Sequence, residues 1–359
     1  MQDIKDSINF YERIISVILR LFGALAKFVF FLYIAKNLNT SEVGEIGIIF
    51  SIILIGIVFI GAELHYINSR DIASSNFEEI SKIIVMQLKS HIIFYLLTLP
   101  ILFFLFKSNI LNDRYFVYIY FLLISEHITQ EIARFLQFTF KPVLASFIIF
   151  LRNALWIIVI ILVTTFQIIE LNIFNILGVW VTFSTFTAAI GLFLIREYLI
   201  LHKNDHANFL YKNMISILKK AFPFFITALF FIISQNLDRF VLNKIMGISS
   251  VGIFFFLSSL ASVLILVVTY GVNVFYAPHA ISSFKNSGYE SYITIKKTFI
   301  RQTIIFSLIG IIVASIIINP VLLFVGQDEY IENTYIFYLM LLSNFILLCS
   351  DFFNLDMYV

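Results

Sequence analysis

Two cations stand inside a stretch that is otherwise almost wholly apolar. Arg20 and Lys27 are seven residues apart, with Arg13 seven residues before them, among Ile, Leu, Phe, Val and Ala. A seven-residue spacing keeps side chains on one helical face, drifting by only ~20° per step. Ser16 and Gly23 lie on the same side, so the stripe is cationic and small. A guanidinium grips phosphate oxygens as a fork and an ammonium acts as a point charge, which suits this face to an anionic ligand. Arg13 is expected to reach inner headgroups, whereas Arg20 is too deep for that and is expected to line a water-filled cavity.

A second stripe holds Glu126, His127, Gln130, Glu131, Arg134 and Gln137. On a helix these positions occupy an arc of about 140°. Two readings follow. The stripe is structural and neutralises itself through the i,i+4 pairs His127–Glu131 and Gln130–Arg134, or it lines a pathway with a titratable group. In the second reading Glu131, with His127 or Glu126, is suited to proton coupling, because burial tunes carboxylates and imidazoles toward neutral pH. Arg152 sits about two turns into another apolar segment. Gln235, Asp238 and Arg239 form a third polar group, in which adjacent Asp238 and Arg239 are expected to neutralise each other. Glu63 and His65 close the second apolar segment, and His91 is placed at an interface. No third ligand accompanies His127 and Glu131, so no metal site is expected. A single cysteine, Cys349, excludes a disulfide framework.

Composition says what must hold these residues. The chain has 359 residues, 60% hydrophobic and 13% charged, with a mean hydropathy of +0.97 and a formal net charge of +2. Soluble domains carry about 25% charged residues, and one soluble core of this size does not bury so much apolar surface. The near-neutral charge and the scarcity of Gly and Pro set aside nucleic-acid-binding, disordered and collagen-like classes. Nothing alternates with period two. An all-α polytopic membrane protein is expected, in which a span needs ~20 mainly apolar residues. Ten segments qualify: 14–36, 43–67, 84–106, 115–138, 144–166, 173–195, 222–243, 251–275, 299–319 and 335–355. Asn39 through Glu42 supply a helix start between the first two, and Lys141-Pro142 part the fourth from the fifth. The first span is too long and too charged for a cleavable signal peptide. With the N-terminus inside, cytoplasmic segments carry fifteen Lys and Arg and outer segments four, so both termini are expected in the cytoplasm.

An offset of 208 superimposes Lys36, Ser41, Val43, Gly44 and Ser51 on Lys244, Ser249, Val251, Gly252 and Ser259. Both segments run from the end of one span, through a short outer loop, into the next. Six spans separate them, which implies two parallel repeats around a central cavity. The expected organisation is a six-helix bundle over 1–200, a basic cytoplasmic linker over 201–221 and a four-helix bundle over 222–359, two helices short of the first. No phosphate-binding loop, dinucleotide fingerprint or nucleophile elbow is present, and no outer loop is long. No cofactor is expected, and the chain reads as a transporter rather than an enzyme.

Arg20 through Lys27, Tyr33 through Gly44 and Phe50-Ser51 resemble the opening of the Wzx-type polysaccharide flippases of the multidrug/oligosaccharidyl-lipid/polysaccharide exporter superfamily. Asp238-Arg239-Phe240 through Val251-Gly252 resembles the start of that family's second bundle. The resemblance covers residues 10 to 280 and more loosely the remainder. It implies two bundles of six helices that alternate between inward- and outward-open states in the bacterial cytoplasmic membrane. It also implies a substrate, a lipid-linked oligosaccharide on undecaprenyl pyrophosphate, with a polysaccharide polymerase and a chain-length regulator as partners and no nucleic acid. Arg20, Lys27, Arg134, Arg152 and Arg239 are the residues expected to meet the pyrophosphate. A multidrug or cation exporter of the same superfamily, which would favour acidic cavity residues, and a membrane polysaccharide polymerase are the competing functions.

Overall fold

Helices with few interior breakers follow one another along the described residues. The structure is a computed structural model that describes residues 10–108, 110–199 and 207–356. Among these residues there are helices and turns and no strand. The helices are α1 (Phe10–Asn37), α2 (Thr40–Gly61), α3 (Leu64–Ser74), α4 (Phe77–Lys107), α5 (Phe116–Phe138), α6 (Pro142–Phe150), α7 (Trp156–Thr165), α8 (Ile173–Leu194), α9 (Ala207–Ser234), α10 (Leu237–Met246), α11 (Ile248–Ala261), α12 (Val263–Val268), α13 (Val274–Val325), α14 (Asp328–Glu332) and α15 (Thr334–Asp356). Among the described residues, eight segments are long and apolar enough to cross a bilayer. The chain is therefore an all-α polytopic membrane protein. The other two expected spans coincide with α5, whose polar stripe interrupts its apolar run, and α15. Arg13, Arg70 and most of the 201–221 linker fall on residues whose side chains lie outside the description.

Local chemistry sets the boundaries. Asn39 and Glu42 form a reciprocal cap at the start of α2: the Asn39 side chain accepts from Glu42 N at 2.9 Å, and Asn39 N donates to Glu42 Oε2 at 3.2 Å. Asn76 caps α4 by accepting from Glu79 N at 3.0 Å, and Asn172 caps α8 by accepting from Asn175 N at 2.8 Å. Pro142 opens α6 at its first turn. The second span ends six residues earlier than the hydropathy suggests. Ala62 and Glu63 both take left-handed backbone, with φ of 45° and 52°, and that double reversal turns α3 away. Such a turn is strained for residues with a Cβ, and it is held in place by burial of Ala62 and Leu64 against Ala221 of α9. Helix α13 likewise contains a break, at Gly288 with φ of 79°, a value that glycine tolerates.

The described residues fall in two compact units, one through Tyr33 with Glu45–Ile248, the other Ile34–Gly44 with the chain from Ser249 onward. In the second unit the two repeated segments touch. Thr40 Oγ1 and Ser249 Oγ are 2.6 Å apart, and Val43, Gly44, Val251 and Gly252 are all buried. A Cβ on Gly252 would stand 1.8 Å from the Thr40 carbonyl oxygen and 2.9 Å from Gly44 N. Those atoms are backbone and cannot swing aside. Gly252→Ala is thus expected to destabilise by about 3 kcal/mol, read as a lowered melting temperature in detergent. Gly191→Ala, whose Cβ would meet the flexible Ile132 side chain at 2.9 Å, should cost about 1 kcal/mol. Equal melting of the two variants would contradict the close contact at Gly252.

Candidate functional site

The cationic face of α1 packs against α6, the π-helical turn Leu151–Leu155 and α7, all within the first unit. Arg20 Nε donates to Ser146 Oγ at 3.1 Å. Gly23 brings the helices together, since a Cβ there would lie 3.3 Å from Asn153 Cβ. Phe30 meets Trp156 edge-on at 4.9 Å, and Tyr33 Oη lies 2.8 Å from Thr164 Oγ1. The contacts ascend together along both segments, so α1 and α6–α7 run parallel, as the first and fifth spans of an alternating topology must.

The π-helical turn holds the centre of this layer. Single π turns inside α-helices recur at functional positions, and here the turn carries Arg152. Arg152 Nε donates to Glu126 Oε2 at 2.5 Å, and Nη1 donates to Gln130 Oε1 at 3.1 Å. The other oxygen of Glu126 accepts from Trp180 Nε1 at 2.8 Å and from Ser184 Oγ at 3.0 Å. Glu126 is 4% exposed, and Arg152, Trp180 and Ser184 all donate to it. Lys27 lies within electrostatic reach of both Arg152 and Glu126. Trp156 and Trp180 stack beside them at 4.6 Å. Arg20, Lys27 and Arg152 thus bring three positive charges to a layer in which Glu126 is the hydrogen-bonded carboxylate.

A second cluster faces α4. Arg134 Nη1 donates to Glu131 Oε1 at 2.7 Å, and the other Glu131 oxygen accepts from Gln87 Nε2. Gln87 in turn accepts from Asn68 Nδ2 at 2.7 Å. His127 is fully buried; its Nδ1 lies 2.8 Å from Tyr95 Oη, and its Nε2 has no hydrogen-bond partner. His91 meets His127 edge to face with ring centres 4.4 Å apart. Beside them is a cavity with about 30 Å³ open to the centres of water molecules, bordered by His65, Gln87, His91, Glu131 and Arg134 among apolar side chains. At the α2–α3 turn Glu63 Oε2 is 3.6 Å from His65 Nδ1. Burial pushes the Glu63 carboxyl up, and burial with Arg134 nearby lowers His65 to about 4. The contact therefore joins a neutral imidazole to a carboxyl and is no ion pair at neutral pH.

These placements change several expectations. The i,i+4 pairs inside α5 do not form: Arg134 takes Glu131 at i,i+3, Gln130 serves Arg152, and His127 turns to Tyr95. Neighbouring helices offer these groups better-directed partners than their own turn does. His91 is buried at 0% exposure rather than interfacial. Arg239 stands apart from both clusters' contacts. Its backbone N–H donates to Asp238 Oδ1 at 2.8 Å, while Nη1 donates to Ser51 Oγ at 2.7 Å and Gly47 O at 3.3 Å on α2. The side chains that the stripe on α5 did not announce are Gln87, Tyr95, Ser146, Trp180 and Ser184. Two were legible: Gln87 and Tyr95, which with His91 recur every four residues along α4.

A family model described as polysaccharide biosynthesis protein matches residues 12–276. No curated protein and no solved structure matches the chain.

Proposed function

The chain belongs to the polysaccharide biosynthesis protein family, and from that premise we propose that it is a Wzx-type flippase, carrying an undecaprenyl-pyrophosphate-linked oligosaccharide from the cytoplasmic to the outer leaflet. The observation that carries this reading is the excess of positive charge at membrane depth around α1: Arg20, Lys27 and Arg152 against Glu126. Ionisable groups at that depth are costly unless water or a counter-ion meets them, roughly 2.5–3.5 kcal/mol each on insertion scales. A pyrophosphate is the counter-ion that such a layer favours, and a fork-shaped guanidinium is its best partner. A cation exporter would need a carboxylate free to take the cargo, whereas Glu126 and Glu131 are each held by an arginine. Transport proceeds in this reading by alternating access, coupled to protons, without covalent chemistry. Both termini lie in the cytoplasm.

Topology tests the frame in which this operates. Reporter fusions after Lys107, Glu170, Ile248 and Asp328 are expected to read outside, and fusions after Asn76, Asp205 and Asn286 inside. A cytoplasmic signal at Glu170 would overturn the orientation. The function itself is tested by expressing the chain in a bacterium that lacks its polysaccharide flippase but retains the matching glycosyltransferases. Surface polymer should return; its absence at normal expression would contradict the reading.

A further inference from the structure

Three of the chain's six histidines, His65, His91 and His127, gather near one another: His65 and His91 border the small cavity, and His127, midway along α5, packs against His91. The carboxylate there, Glu131, is bound by Arg134 on one oxygen and Gln87 on the other, which leaves it poorly placed to exchange a proton. The buried imidazoles differ. His127 keeps Nε2 without a hydrogen-bond partner, although a buried polar atom normally finds one. Gly61 stands opposite that atom, where a Cβ would lie 3.4 Å away. His91 borders the cavity and lies against His127, and the cavity has room for a water. Partly exposed His65 stands at its α3 side.

We propose that this cavity is a proton-loading site, in which His91 and His127 share one proton that enters past His65. This deepens the coupled-transport reading given above and takes its physiological meaning from it. The step balances simply. With Nδ1–H donating to Tyr95 Oη, Nε2 of His127 is a bare acceptor. A hydronium in the cavity gives its proton to a ring nitrogen of His91, which borders the cavity, and remains as water; the doubly protonated ring then passes one proton to Nε2 of the adjoining His127, and the proton leaves by the reverse route. Like charges 4.4 Å apart exclude a second proton on His91. The groups facing the pair are Tyr95 from α4, Glu131 and Arg134 from α5, His65 and Glu63 from the α2–α3 turn and α3, and Arg152 with Glu126 behind His127. Glu131 offsets Arg134, so the cavity holds no net charge that would forbid one more. The cavity's carboxylate is already taken by Arg134 and Gln87, so the group it offers a coupling ion is the imidazole pair, which takes a proton.

The test is ring nitrogen NMR of the full chain, labelled with 15N-histidine in nanodiscs and titrated from about pH 8 to pH 5, the range in which imidazoles change charge. His65→Gln, His91→Gln and His127→Gln assign the signals; should His127→Gln fail to fold, His91→Gln and the parent suffice. One of His91 and His127 should become imidazolium while the other stays neutral. Removing His91 should move the His127 midpoint by at least about half a pH unit, the scale of a direct neighbour's influence. Glu131→Gln should leave the uptake of one proton intact. Both rings neutral throughout, both rings charged, or midpoints indifferent to each other's removal would overturn the proposal. None of these readings needs transport. If the chain flips no lipid pyrophosphate yet the pair takes its single proton, the proposed function fails and the proton site stands.

Discussion

Arg152→Ala should lower the stability of the folded protein by about 3–5 kcal/mol, the cost of leaving a buried charge without its partner. Glu126 is 4% exposed and its Oε2 lies 2.5 Å from Arg152 Nε. Trp180 and Ser184 remain as donors to the other oxygen, but neither carries charge. Gln130 also loses its donor. The variant should melt well below the parent in detergent and accumulate less in membranes. Glu126→Gln added to Arg152→Ala should recover about half of the loss, because a neutral amide keeps the Trp180 and Ser184 bonds and no longer requires a cation. If Arg152→Ala melts like the parent, the pair is solvated and the layer described here is wet. If the second substitution brings no recovery, the loss comes from packing along the π-helical turn and not from Glu126.

Much of this layer could be read from residue order, and the reasons differ by element. The stripe on α5 was plain because six polar side chains on one arc have no alternative within a bilayer but to face protein. Arg20 and Lys27 were plain for the same reason. Their partners were not, because a partner across the bundle leaves no periodic mark on the cation's own helix. Ser146 is one polar residue in an apolar run, and serines bond their own helix often enough to hide. Trp180 reads as apolar bulk until its indole N–H is seen to point at a carboxylate. The stripe Gln87–His91–Tyr95 is legible in principle, but its three members stand in a mainly apolar helix and lack the charges that mark the stripe on α5. The end of α2 leaves no mark in the sequence because Ala62 and Glu63 are not turn residues; their left-handed backbone is imposed by packing of α3 on α9 rather than by local preference. The N-cap at Asn39 and the start at Pro142 were readable because capping is local chemistry.

Arg20→Ala carries the second large effect, and it falls on transport rather than stability. Arg20 has Ser146 as its hydrogen-bond partner, so truncation leaves one hydroxyl without a donor, a cost of about 1 kcal/mol. Removing a charge from membrane depth offsets that cost. The variant should therefore insert at least as well as the parent. Flipping should fall by at least about tenfold, because loss of a charge-assisted bond to phosphate is worth ~1.5–3 kcal/mol. Arg20→Lys should recover part of the rate, since an ammonium keeps the charge without the fork. Full recovery with lysine would mean that charge alone is read.

The anionic-lipid account stands or falls on Arg20 and Lys27 together. Parent protein and the Arg20→Ala, Lys27→Ala double variant, matched in amount, are reconstituted into liposomes containing a lipid-pyrophosphate-linked oligosaccharide, and its appearance in the opposite leaflet is followed with an impermeant sugar-oxidising reagent. The account predicts rapid movement with the parent and movement indistinguishable from empty liposomes with the double variant. Movement at the parent's rate in the folded double variant would contradict it.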